Sequence, residues 1–441
     1  MKAVSPPVAQ LRSWRSGLAY GLLGLPLAFV ALPLYVVLPH HYATSLGVPL
    51  ASVGALLMLV RLLDAAAEPL LGRFSDRLYQ GSVRVVLWVA GGSALVQLLG
   101  LAGLFFPAVE GQWALGVWMV LGLLFTSLSH SQLVIAHQAW GVRLGGDAVQ
   151  RSRIVAWREA PGLIGVVMAS ALSVALGAAP MLAAFAMTLV LGWGALWFAP
   201  RPASGADKAG VAVHVSPARA PWALIWRPLA QPSFRRLLAV FLCNGIASAI
   251  PAALMLFFAQ DRLLATQPQI AMFLVLYFVS GALSMPAWIR AVRSWGLERA
   301  WLGGMLLAVA CFGWTAGLES GQVAAFALIC VLSGVALGAD LAVPGALLAR
   351  LVESHGEQGR SEGAYLGWWN LATKLNLALA AGAALPLLQW GGYSPGTQDA
   401  EALQRLAWAY ALLPCVLKLM AAGLLYQLLV RKTPQFKGAT S

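Results

Sequence analysis

The sequence predicts an all-α membrane protein of twelve transmembrane helices, arranged as two pseudo-symmetric six-helix bundles. Three observations carry that reading. The 441 residues are 60% hydrophobic and only 10% charged, with a mean hydropathy of +0.77, where a soluble domain carries roughly 25% charged residues. Apolar stretches of roughly 20 residues recur along the chain, each long enough at 1.5 Å rise per residue to cross a hydrocarbon core of about 30 Å. One long polar segment, residues 200–236, separates six of these stretches from six more.

Taken in order, the expected spans are 17–38, 50–71, 84–106, 113–139, 154–176, 180–199, 237–258, 269–289, 300–318, 322–349, 363–389 and 405–429. The first follows "MKAVSPPVAQLRSWRS"; it is too long for a signal-peptide core and lacks a small-residue cleavage site, so it is expected to be retained. Residues 1–199 then form the N-terminal bundle, 200–236 a cytoplasmic middle loop rich in Pro, Ala and Arg, and 237–441 the C-terminal bundle. An echo between "ALPLYVVL" (31–38) and "AIPAALML" (249–256), offset by close to half the chain, fits two parallel repeats with a solute site at mid-membrane.

A net charge of +13 raises the question of a nucleic-acid partner, but the basic residues are spread over alternate loops rather than gathered on one face. The positive-inside rule accounts for them. Arg12 and Arg15, then Arg73, Arg77 and Arg84, then Arg143, Arg151 and Arg153 flank successive spans on one side. Arg201, Lys208, Arg219, Arg227, Arg235 and Arg236, then Arg290, Arg293 and Arg299, then Arg431, Lys432 and Lys437 continue the pattern, with Arg262 the exception. Both termini are therefore expected in the cytoplasm, with the chain in the cell (inner) membrane. Cys243, Cys311, Cys330 and Cys415 lie singly on apolar segments, without metal or redox spacing.

Charges inside the spans carry the functional signal, because an ionisable group at membrane depth costs several kcal/mol, about 3 on insertion scales, unless paired or wetted. "RLLDAAAEPLLGRFSDR" (61–77) places Arg61, Asp64 and Glu68 within an arc of roughly 60° on one helix face. Two carboxylates one turn apart can hold a small cation such as sodium, or share a proton, while Arg61 balances the empty site. The alternative is an ion pair of Arg61 with Asp64, with Glu68 near the headgroups beside Pro69.

Asp340 precedes Pro344 by one turn, where a loosened helix can be wet, and Lys374 is a candidate partner for it. His130 and His137 share a face of the fourth span, as a proton relay or as core histidines. Trp140, Trp157, Trp368 and Trp369 line a stacking pocket or belong to the membrane interface; Asn244, Asn370 and Asn376 are cavity groups or interhelical links. Of these, His137, Trp140 and Asn370 are carried as solute-site candidates.

Further segments resemble a known family. Arg61, "DAAAEP", Gly72 and Asp76, then "AHQAWGVRLGGDAVQRSRIVAWR" (136–158), then "VPGALLARLVESHGEQGRSEGAYLGWWNLATK" (343–374) resemble the glycoside-pentoside-hexuronide:cation symporters of the major facilitator superfamily, whose best-known member is the melibiose permease. Ala139, Asp147, Arg151 and Arg158 match in the second segment, and Pro344, Glu362, Gly363 and Lys374 in the third. The resemblance implies the major facilitator fold, with Asp64 and Glu68 as cation-site acids and Arg158 and Lys374 at the solute. "GRFSDR" (72–77) looks like the superfamily's cytoplasmic loop motif, in which Asp76 accepts from helix N-termini and Arg77 bridges to neighbours, latching one state; Arg151 is grouped with it.

The departures concern the solute. Positions that carry acids in sugar-transporting relatives fall near Ala28 and Val134, a Pro-Tyr pair is replaced by Ala136 and His137, and Ala65, Ala66 and Ala67 leave no amide for sodium. There is no P-loop, nucleophile elbow or zinc motif, so an enzyme is not expected. The expected function is symport of a small, sugar- or glycoside-like solute with H+ or Na+ by alternating access, as a monomer needing no cofactor beyond the coupling ion. The alternatives are a lysolipid, amphiphile or organic-anion carrier of the same fold, and a non-transporting scaffold or sensor.

Overall fold

The computed structural model describes residues 13–48, 50–175, 177–202, 221–357, 361–390, 392–393 and 397–431. Arg12, Lys208, Arg219, Lys432 and Lys437, with residues 203–220 of the middle loop, lie outside the described residues. The described chain is helical almost throughout. Its long stretches are α1 (14–44), α2 (Leu50–Gln80), α3 (Val83–Phe105), α4 (Gln112–Leu144), α5 (Ala148–Ala175) and α6 (Ala178–Leu196). After a linker helix, Pro221–Ala230, come α7 (Pro232–Arg262), α8 (Gln267–Trp295), α9 (Leu297–Gly317), α10 (Val323–Ser354), α11 (Glu362–Trp390) and α12 (Ala400–Val430).

Local chemistry sets the ends. Ser13 and Ser16 form a capping box at the start of α1, Ser82 caps α3 after the turn at Gly81, and Asp399 accepts from the Ala402 N–H at the start of α12. Pro26 and Pro33 remove backbone donors from α1, which is broken into segments and continues through a π-helical turn at Pro33–Val37. The α10 stretch breaks before Pro344 for the same reason.

Among the described residues eight stretches, α3, α4, α6 to α10 and α12, are by length and composition long and apolar enough to cross a membrane. Side chains such as Leu283, 75% exposed in mid-helix, suit acyl chains rather than water. By contrast, α2, α5 and α11 interrupt their apolar runs with charges, and it is these that carry most of the candidate residues.

The chain divides into two compact units, Met1–Pro228 with Ala349–Leu371, and Leu229–Leu348 with Ala372–Ser441. In the first, α2 packs on α4, α3 on α4 and α6, and α1 on α5. In the second, α8 packs on α10, α7 on α12 and α9 on both α10 and α12. An aromatic cluster forms part of the second unit's core: Phe258 stacks on Tyr410 with centroids 4.3 Å apart, and Phe273 meets Phe326 edge-on at 4.8 Å.

One sequence expectation is corrected by the fold. Residues 72–77 are not a loop: α2 runs on to Gln80, because nothing before Gly81 breaks it and the polar side chains of its last turns are accommodated by packing.

Candidate functional site

The site is written on one stripe of α2. Asp64, Glu68, Gly72, Asp76 and Tyr79 recur at intervals of four, four, four and three, and all are buried, while Met58, Leu62, Leu70 and Phe74 on other faces are exposed. Asp64 is 4% and Glu68 1% exposed. Ser131 of α4 donates from Oγ to Asp64 Oδ1 at 3.0 Å, so a hydroxyl from a second helix joins the first acid. Arg61 does not share this burial. It is exposed, and the expectation that all three charges bury together is corrected: three residues before Asp64, Arg61 lies at the edge of the arc, beyond the packed stripe.

Further along the same stripe α2 meets the first turns of α11 at backbone contact. A Cβ on Gly72 would lie 2.0 Å from the Gly363 carbonyl oxygen, and one on Gly367 would lie 2.6 Å from the Glu68 carbonyl oxygen. Such an approach is open only to glycine. It lets the Gly363 N–H donate to Asp76 Oδ1 at 2.7 Å and the Ala364 N–H to Asp76 Oδ2 at 3.1 Å, a carboxylate on a helix N-terminus. Arg73 approaches the same carboxylate at 3.6 Å.

Beside it, Arg143 of α4 pairs through Nε with Glu362 Oε1 at 2.5 Å, both side chains fully buried, and its guanidinium stacks over the Tyr79 ring at 4.3 Å. The Tyr79 hydroxyl donates to the Ala136 carbonyl at 2.8 Å. Two peripheral pairs follow, Arg151 with Glu353 and Arg227 of the linker helix with Glu357, the second at 2.7 Å. Arg77, expected to bridge, is exposed; Arg143 takes that place because it projects from α4 into the stripe.

Arg158 on α5 is half-buried and donates through Nε to the carboxylate of its neighbour Glu159 at 2.8 Å. Two other candidates prove to be braces. His137 is buried with Nε2 2.8 Å from the Tyr20 carbonyl, and Trp140 donates from Nε1 to the Pro200 carbonyl at 2.9 Å. Trp140 spends its one polar atom on the backbone of another segment, which corrects its assignment to a solute, whereas His137 braces α1 through Nε2 and keeps a buried Nδ1 with no hydrogen-bond partner. Nor do His130 and His137 form a relay, since His130 Nδ1 meets Gln97 Nε2 at 3.0 Å and His137 faces α1. Asn370 is buried, its Nδ2 without a hydrogen-bond partner. Lys374 lies half-buried on α11 in the second unit.

Asp340 belongs to a separate cluster in the second unit. Its partner is Lys418 of α12, 2.7 Å from Oδ2, and not Lys374. Lys418 is one of the residues that sequence reasoning missed, although it is the only charge in "LLPCVLKLMAAGLLYQLLV" and so stood out by the cost of burial. Ser131, Arg143 and Glu159 were missed too. Glu159 was visible as the neighbour of Arg158, whereas Ser131 had no sequence signal.

With this geometry in view, comparisons with known proteins place the fold. The family model described as MFS/sugar transport protein matches residues 17–431. Similar solved structures include a bacterial homologue of the iron transporter ferroportin in an outward-facing state, at TM-score 0.69 and 16% identity, covering 94% of this chain and 98% of that one. The Escherichia coli fucose:proton symporter is similar at TM-score 0.60 and 14% identity, covering 91% and 98%. The human organic anion transporter MFSD10 is similar at TM-score 0.57 and 20% identity, covering 96% and 100%. No curated protein sequence matches.

Proposed function

The chain belongs to the MFS/sugar transport protein family and is a multi-pass membrane transporter of the all-α MFS fold, and from that premise we propose that it is a cation-coupled symporter of a small solute. The observation that carries the proposal is the burial of Asp64 and Glu68 one turn apart on α2, with the Ser131 hydroxyl on the first. Buried carboxylates at membrane depth are costly, and a bound cation or proton offsets that cost. The alanines between the two acids supply no further ligand, which favours a proton over sodium.

Coupling follows from the stripe. The acids and Asp76 stand on the same face of one helix, so a change in charge at Asp64 and Glu68 alters the packing that holds Gly72 against Gly363 and Asp76 on the start of α11. Alternating access needs an element with two arrangements, and this latch is our candidate for it. The glycoside-pentoside-hexuronide resemblance assigns Arg158 and Lys374 to the solute. With alanine and valine at the positions of the sugar-site acids, Ala28 and Val134, the solute is less polar than a sugar or carries an anionic group. We place the protein as a monomer in the cell membrane with cytoplasmic termini.

The test is a thermal-shift screen of the purified full chain against sugars, organic anions and lysolipids, each with sodium or choline as the cation and at two pH values. The proposal expects a solute whose stabilisation depends on sodium or pH in the wild type and loses that dependence in Asp64→Asn. Stabilisation that is indifferent to cation and pH in the wild type would contradict coupling.

A further inference from the structure

The second unit holds a charged centre that the proposed cation site does not use. Asp340 lies about midway along α10 and gathers donors from three other helices: Asn244 Nδ2 of α7 at 3.1 Å and Trp301 Nε1 of α9 at 2.9 Å on Oδ1, and Lys418 Nζ of α12 at 2.7 Å on Oδ2. Lys418 also donates to Ser248 Oγ of α7 at 2.9 Å. This donor set fits an ionised carboxylate. One group is left over. Asn244 is 4% exposed and its Oδ1 has no hydrogen-bond partner, a costly omission in a buried amide.

A half-turn of the Asn244 amide would bring that oxygen to Asp340, where only a protonated carboxyl could donate to it. The cluster thus contains an acceptor for the acid form, gained in exchange for the bond that Asn244 Nδ2 gives the ionised form. The pair is not sealed, since the Lys418 and Asp340 side chains keep 10% and 13% of their surface accessible. Among the described residues, the other titratable groups that feel the pair are Tyr277 on α8 and Cys415 on α12; α7 and α9 contact it through Asn244, Ser248 and Trp301, and the Cys243 thiol of α7 lies beside Lys418, donating to the Leu417 carbonyl at 3.4 Å.

We infer that Asp340 is a proton-binding site apart from Asp64 and Glu68, operated as a switch: a proton from solvent bonds to its carboxylate, the acid donates to Asn244 Oδ1, and Lys418 loses its carboxylate partner while keeping its bond to the Ser248 hydroxyl. The step takes up one proton, breaks no covalent bond, and changes the charge of the cluster from zero to plus one. The freed ammonium is then available to an anionic group. This inference is independent of the assignment of Asp64 and Glu68.

Infrared difference spectroscopy of the full chain in liposomes, between alkaline and acidic pH, tests it. In the wild type, acidification produces a protonated-carboxyl band that Asp340→Asn removes, that Asn244→Leu shifts to higher frequency by deleting the acceptor, and that Asp64→Asn and Glu68→Gln leave in place. If Asp340→Asn alone fails to fold, Asp340→Asn with Lys418→Met removes both charges together and must lose the same band. Spectra of the folded Asp340 variants identical to the wild type would overturn the inference and leave the cluster as a static brace.

Discussion

Replacing Gly72 by alanine probes the crossing of α2 and α11 with a single methyl group. The added carbon would sit 2.0 Å from the Gly363 carbonyl oxygen and 2.8 Å from its carbon, where ordinary contact begins at 3.4 Å. Both partners are backbone, so the helices must part by about 1.4 Å, and no rotamer change relieves the clash. A shift of that size carries the 2.7 Å bond from Gly363 N–H to Asp76 out of hydrogen-bond range. Overpacking costs roughly 1–3 kcal/mol and a lost bond to a carboxylate about 1.5–3, against a gain of about 0.5–1 for alanine over glycine in a helix. The expected net loss is about 2–5 kcal/mol. Gly54 on the same helix has nothing within 4 Å of its virtual Cβ, so Gly54→Ala should be neutral or slightly stabilising. Thermal unfolding of the two purified variants in one detergent makes the comparison. A Gly72→Ala protein that melts at or above Gly54→Ala would refute the close crossing and the latch built on it.

Two further outcomes follow from buried partners. Arg143→Met removes the buried cationic partner of Glu362 and should cost about 3–5 kcal/mol; adding Glu362→Gln should restore much of that loss in the same unfolding assay. His137→Phe deletes the bond to the Tyr20 carbonyl and should lower stability by about 1–3 kcal/mol, while solute selectivity in the thermal-shift screen stays unchanged, as expected of a brace.

The helices were legible because twelve runs of apolar residues have few alternatives to crossing a bilayer, and their ends carry readable signals such as Ser82 and Asp399. Asp64 and Glu68 drew attention for a related reason, since charge in an apolar helix advertises itself by its cost, and Asp76 through the resemblance of residues 72–77 to a loop motif. Partners were not. Ser131 reaches Asp64 and Lys418 reaches Asp340 across 67 and 78 residues of sequence, and only the packing of α4 on α2 and of α12 near α10 decides which side chains meet. Trp140 misled for the opposite reason, since a polar atom bound to a distant carbonyl looks, in sequence, like one awaiting a ligand. The end of α2 was misjudged because glycine and charge together resemble a turn, whereas here Gly72 serves the contact with Gly363.

Transport by Asp64→Asn in proteoliposomes is the most direct measurement, using whichever solute stabilises the wild type and an imposed proton or sodium gradient. With the acid gone, uphill accumulation should vanish while solute exchange across the membrane persists in part. Accumulation as steep as in the wild type would mean that the α2 carboxylates do not carry the coupling ion.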